Sequence, residues 1–171
     1  MAGSLGDRTK NFEFEIRFTG LGAHNAYPIM SDGAVPVDGF TGETFESDGD
    51  GCATLRVLLR DDASVEVEGI PPGAGFEVTE AACDHRAAFE VRSLQQGQIR
   101  SDENRAAFEP LSTGVQQMTA KDTYTVAFVN ERDLASNTGV LSYGVPAVSG
   151  IILLACGSLI LRRRGNDIDE S

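Results

Sequence analysis

With 171 residues, 41% hydrophobic and 23% charged, the chain has the make-up of a folded domain with extras, which excludes a disordered polymer. Its net charge of −12 argues against a nucleic-acid partner and against contact with anionic lipid heads. Neither the three cysteines nor the two histidines, His24 and His85, fall into metal-ligand spacing, so neither a metal nor a cofactor is expected.

Residues 1–9 hold no apolar core and read as a disordered start or linker, not as a secretory signal. Phe12, Phe14, Ile16 and Phe18 then alternate with Glu13, Glu15 and Arg17, the period of a half-buried strand. A Gly-rich stretch over 20–51 carries turn signals at Asp32-Gly33, Asp38-Gly39 and Asp48-Gly49-Asp50-Gly51. The last of these invites a calcium reading, but the later ligands of an EF-hand loop are missing, so a hairpin turn is expected. Leu55, Val57 and Leu59 alternate next. A charged turn at Arg60-Asp61-Asp62 leads to Val65 and Val67, and Pro71-Pro72-Gly73 breaks the chain before Phe76 and Val78. From Arg86 to Gln117 the pattern is weak and predicts loops with short strands. Tyr124, Val126 and Phe128 form the last clean strand. Many short alternating strands with Gly and Pro turns predict an all-β sandwich over 10–133.

Beyond a short polar stalk over 134–139, no charge appears until Arg162. The mostly apolar run 140–161 holds 22 residues, which at roughly 1.5 Å each span a bilayer core of about 30 Å. A transmembrane helix is predicted there, with Arg162, Arg163 and Arg164 as the cytoplasmic stop and 162–171 as a cytoplasmic tail. That topology puts the N-terminal domain outside the cell. An outside domain needs export, so a longer precursor is expected. Cys52 and Cys83 would then share an oxidising compartment in which they can pair.

Side chains two apart on a strand share a face, and parity places three polar residues on inward stripes. Lys10 continues the Phe12–Phe18 face, Glu80 follows Phe76 and Val78, and Asn130 follows Tyr124, Val126 and Phe128. Taken singly, each suits a strand end that reaches solvent. Taken together, they are the parts of one reaction. A desolvated lysine loses its charge and becomes a nucleophile. A desolvated carboxyl stays protonated and shuttles protons while it polarises an amide. Attack on the Asn carboxamide yields a Lys–Asn isopeptide bond and ammonia. The chain's other lysine, Lys121, has the outward parity.

This order of parts resembles the pilin-type, isopeptide-forming Ig-like domains of Gram-positive surface proteins, major pilins among them. The resemblance rests on Lys10 ahead of the alternating Phe residues and on the run from Phe45 through Asp48-Gly49-Asp50-Gly51 into the strand that ends at Leu59. It continues in Val65 to Gly73, with Ile70-Pro71-Pro72-Gly73, then in Phe76-Glu77-Val78-Thr79-Glu80, and closes on Phe128-Val129-Asn130. It implies an Ig-like β-sandwich in which Lys10 and Asn130 form the crosslink and Glu80 promotes it. Members carry a Leu-Pro-x-Thr-Gly sorting signal before the membrane helix. Here Leu134-Ala135-Ser136-Asn137-Thr138-Gly139 keeps only the Thr-Gly, so wall attachment and permanent membrane anchoring both stay open.

The function expected is therefore a structural cell-surface module of pilin or stalk type, with the membrane and other surface or pilus subunits as partners. The alternative is an adhesin module that binds a host or carbohydrate ligand. An enzyme is not expected, since no nucleophile elbow, metal motif or phosphate loop is present.

Overall fold

The alternation that opens the chain becomes β1 (Phe12–Thr19), whose Phe12, Phe14, Ile16 and Phe18 are buried. The structure, a computed structural model, describes residues 10–40, 42–60, 62–103 and 108–130, together with the backbone of 131 and of 147–155. After β1 come β2 (Ala26–Asp32), β3 (Val35–Asp38), β4 (Thr44–Glu46), β5 (Ala53–Leu59), β6 (Ser64–Val67) and β7 (Gly75–Glu80). The rest are β8 (Arg86–Ser93), β9 (Gly97–Glu103), β10 (Leu111–Ser112), β11 (Gln116–Gln117), β12 (Thr123–Glu131) and β13 (Ala147–Ala155).

Two sheets form. One runs β10-β7-β1-β5-β3, with β11 also on β7, and the other runs β4-β2-β6-β13-β12-β8-β9. The inward stripes of both make one core. Across it Phe14 meets Phe128 edge-on at 5.0 Å and Phe76 meets Tyr124 at 5.5 Å, while Phe18 stacks on Phe45 at 5.4 Å. Such edge and offset contacts add to the burial of the rings themselves. The all-β sandwich expected from the alternation is thus present. At the sheet edges, Pro36 sits in β3 and all of β9 is exposed; proline and polar side chains at an edge discourage further pairing.

Four details depart from the sequence reading. The weak stretch after Arg86 holds two long strands, β8 and β9. In β8 the inward positions are Ala87, Phe89, Val91 and Ser93, where a small and a polar residue mask the period; β9 lies wholly exposed and has no apolar stripe to read. The Gly-rich stretch similarly contains β2 to β4.

Asp48 to Gly51 forms a turn, but not a hairpin, because β4 and β5 lie in different sheets. Asp48 Oδ1 accepts from the Asp50 and Cys52 amides, so its side chain organises the backbone of the turn. Gly51 has φ of 71°, and a Cβ there would lie 2.2 Å from the Leu21 carbonyl oxygen, so only glycine fits.

The fourth departure concerns the predicted membrane helix. Residues 147–155 form strand β13, antiparallel to β12 and parallel to β6, where a helix was expected. A continuous apolar run suits a central strand as well as a membrane helix, and periodicity alone does not separate them. Residues 140–146 and 156–161 of that run lie outside the described residues, as do the leader 1–9, the stalk 134–139 and the tail with Arg162, Arg163 and Arg164.

Candidate functional site

The end of β7 and the end of β12 meet across the sandwich. In β1 Phe14 pairs with Glu80 of β7, and the Phe14 ring touches Phe128 of β12, two residues before Asn130. Strand parity therefore turns Glu80 and Asn130 towards each other at one end of the core, and each is only 1% exposed. Asn130 Nδ2 donates to Glu80 Oε1 at 2.5 Å. The remaining oxygens, Glu80 Oε2 and Asn130 Oδ1, are buried with no hydrogen-bond partner among the described residues. Orphaned buried oxygens are costly in a core and call for a reason.

Burial pushes the Glu80 carboxyl up to about 8, against the smaller downward pull of the Asn130 hydrogen bond and the Lys10 charge. Near neutral pH Glu80 is thus largely a neutral acid with a proton to give, beside an amide whose carbonyl has no donor among the described residues. A protonated carboxyl held against the amide nitrogen can supply the proton that a departing nitrogen needs.

Lys10 stands at the rim, its side chain 29% exposed. Its Nζ bonds to Asp84 Oδ1, lies 3.1 Å from His85 Nδ1, and sits 5.2 Å from the centre of the Phe12 ring. His85 packs edge-on against the same ring at 5.3 Å, and its Nδ1 is 2.8 Å from Asp84 Oδ1. Of the three residues read from parity, Glu80 and Asn130 are in direct contact, and Lys10 is linked to them by its charge on Glu80. Lys121 is exposed, as its parity implied. Asp84 and His85 were missed: they follow β7 in a turn, where no period marks them.

β1 and β12 belong to opposite sheets and face each other. Parity reports the face of a strand, not its sheet. Cys52 and Cys83 are both free. Ala53 pairs with Phe18 and Glu80 with Phe14, so the two cysteines lie beyond opposite ends of that interval. Four residues of strand separate them by at least about 13 Å, too far for a disulfide. No group of three metal-ligating side chains occurs among the described residues.

A family described as a domain of unknown function, DUF7601, matches residues 1–132. The pilus tip adhesin Cpa of Streptococcus pyogenes is 28% identical over 144 residues, which cover 82% of this chain and 17% of that protein. The chain thus spans about a sixth of the length of that curated relative. Among solved structures, a point mutant of the major pilin from Streptococcus pyogenes superimposes with a TM-score of 0.53 at 22% identity, covering 77% of this chain and 44% of that one. The sandwich shares the fold of that pilin.

Proposed function

The chain belongs to the DUF7601 family, and from that premise we propose that it is a structural cell-surface module of pilin or stalk type, closed by an isopeptide bond between Lys10 and Asn130. The observation that carries the proposal is the buried Glu80–Asn130 pair, with a neutral acid against an orphaned amide carbonyl and a lysine at its rim.

The reaction balances within these three side chains. The neutral Lys10 amine adds to Asn130 Cγ. Glu80 gives its proton to the departing amide nitrogen and recovers one from the attacking nitrogen. The Cγ–Nδ2 bond breaks, the Cγ–Nζ bond forms, and one ammonia leaves. Glu80 ends as it began, but the chain reacts once only, so this is maturation of a structural protein and not enzymatic turnover.

The uncharged run 140–161 with Arg162, Arg163 and Arg164 supports a membrane anchor for the same module. Pairing of 147–155 as β13 satisfies that backbone within the sandwich, and a helix in lipid satisfies it internally; either state avoids orphaned amides. Other pilus or surface subunits are the partners this reading implies.

A second reading, an adhesin module, is favoured by the relative named as a pilus tip adhesin and by the exposed apolar side chains Met30, Val35, Val37 and Phe108.

Intact mass of the folded chain tests the crosslink. The wild type should lack one ammonia, Glu80→Ala should carry the full mass expected from its sequence, and Lys121→Ala should behave as wild type. A wild-type chain at full mass leaves an uncrosslinked sandwich.

A further inference from the structure

Resting on that crosslink reading, we propose that His85 is the base that takes the proton from Lys10 and so arms it as the nucleophile, with Asp84 holding the imidazolium that results.

The need for such a base comes from the rim position of Lys10. A lysine sealed in a core sheds its proton because burial penalises its charge. Lys10 is not sealed in this way: it is 29% exposed and its Nζ contacts the Asp84 carboxylate. An ammonium has no lone pair with which to attack an amide. Glu80 is a poor recipient while it is protonated, since its task is to give a proton to the leaving nitrogen. Another group must accept the Lys10 proton.

His85 Nδ1 is placed for it. The nitrogen lies 3.1 Å from Lys10 Nζ and 2.8 Å from Asp84 Oδ1, and Asp84 Oδ1 also bonds to Lys10. One ring nitrogen thus faces both a donor and a carboxylate. Before transfer, the unprotonated Nδ1 accepts from the Lys10 ammonium. After transfer, Nδ1–H donates to Asp84, and the positive charge has moved from Lys10 to the imidazole without leaving its counter-ion. Histidine suits the task because its ordinary pKa lies near neutrality. The His85 side chain is 12% exposed and is braced edge-on by the Phe12 ring, two residues from Lys10 on the same strand face.

The proton count closes. Lys10 gives one proton to His85, the amine attacks Asn130, and Glu80 passes a proton to the leaving nitrogen as above. The freed ammonia takes up the imidazolium proton through solvent and leaves as ammonium. Among the described residues, the charged groups shown against the imidazole are Lys10 and Asp84, and Arg86 follows it in the chain.

The test follows ammonia loss in time. The full chain, made by cell-free translation into urea, is refolded in detergent at a series of pH values and sampled by intact mass. The wild-type rate should rise across the histidine range, about pH 5.5 to 7.5. His85→Gln should slow the loss at least about tenfold and flatten that rise, and added imidazole should restore part of the rate. Comparing Glu80→Ala with Glu80→Ala/His85→Gln controls for folding, because neither chain crosslinks and both should melt alike. If the wild type loses ammonia and His85→Gln matches it in rate and pH profile, His85 is not the base. If the wild type never loses ammonia, the crosslink itself fails and the base role goes with it.

Discussion

Asn130 and Glu80 are 50 residues apart and on opposite sheets, yet the Asn130 amide donates to the Glu80 carboxyl at 2.5 Å with both side chains 99% buried. An acid and an amide sealed together would be a liability in an inert core. Each retains an oxygen without a partner among the described residues, and two apolar residues of similar shape would pack there at lower cost. The arrangement makes sense if the pair is kept for its chemistry.

Its first consequence is mechanical. A bond from Lys10 to Asn130 closes nearly the whole described sandwich into one loop. Treated like a disulfide loop of that length, it stabilises by about 4–5 kcal/mol, through the unfolded chain. Wild-type protein should therefore melt well above Glu80→Ala, and reductant should leave the difference unchanged. Scanning calorimetry with and without a thiol reads both outcomes. Equal melting points would show that no such loop is closed.

A second consequence concerns pH in a chain that cannot crosslink, such as Lys10→Ala. Burial holds folded Glu80 at about 8, against 4.5 for an ordinary glutamate. Between those values the folded state binds the extra proton, so the contribution of Glu80 is full below about pH 4.5 and is lost as pH rises towards 8. The unfolding free energy should fall by up to about 1.4 kcal/mol per pH unit across that window. Lys10→Ala/Glu80→Gln should lack this slope. Urea titrations of both variants at about pH 5 and pH 8 isolate the effect, and parallel pH dependence would mean that Glu80 is not a buried neutral acid.

Asp122 behaves in the opposite sense. Burial alone would raise its carboxyl, but hydrogen bonds from Ser93 Oγ and from the Gln95, Thr123 and Leu94 amides outweigh it and hold the group below the usual range. The carboxylate thereby pins the β8–β9 turn to the start of β12. Its contribution is present above the unfolded pKa near 4 and is lost as pH falls through the lower folded value. Asp122→Ala should cost about 2–4 kcal/mol at neutral pH, several charge-assisted bonds being removed at once. The loss should shrink in acid, which urea titration at about pH 7 and at a pH of about 2 to 3 will show.

How much of this could be read in advance follows from what alternation encodes. Period two gave the inward faces of β1, β7 and β12, and hence Glu80 and Asn130, because strong apolar and charged residues alternate there. It failed in β8, where Ala87 and Ser93 blunt the contrast, and in β9, which has no buried face. Sheet membership is a long-range property, so parity did not reveal that β1 and β12 oppose each other. Asp84 and His85 lie in a turn and come to Lys10 only through the fold.

The apolar C-terminal run offers two incompatible fates for one segment, and a truncation separates them. As β13, residues 147–155 fill the gap between β6 and β12, pairing along both edges. Removing them would expose both edges and uncover apolar surface, so a chain ending at residue 139 should be destabilised by several kcal/mol and prone to aggregate. As a membrane helix, the same run makes no contact with the sandwich. A chain ending at residue 139 should then leave the membrane fraction, stay soluble and melt with the full-length protein in detergent. Fractionation of cells and a melting curve on the purified truncation read the two outcomes together. Soluble protein with an unchanged melting point assigns the run to the bilayer, and loss of the folded domain assigns it to the sheet.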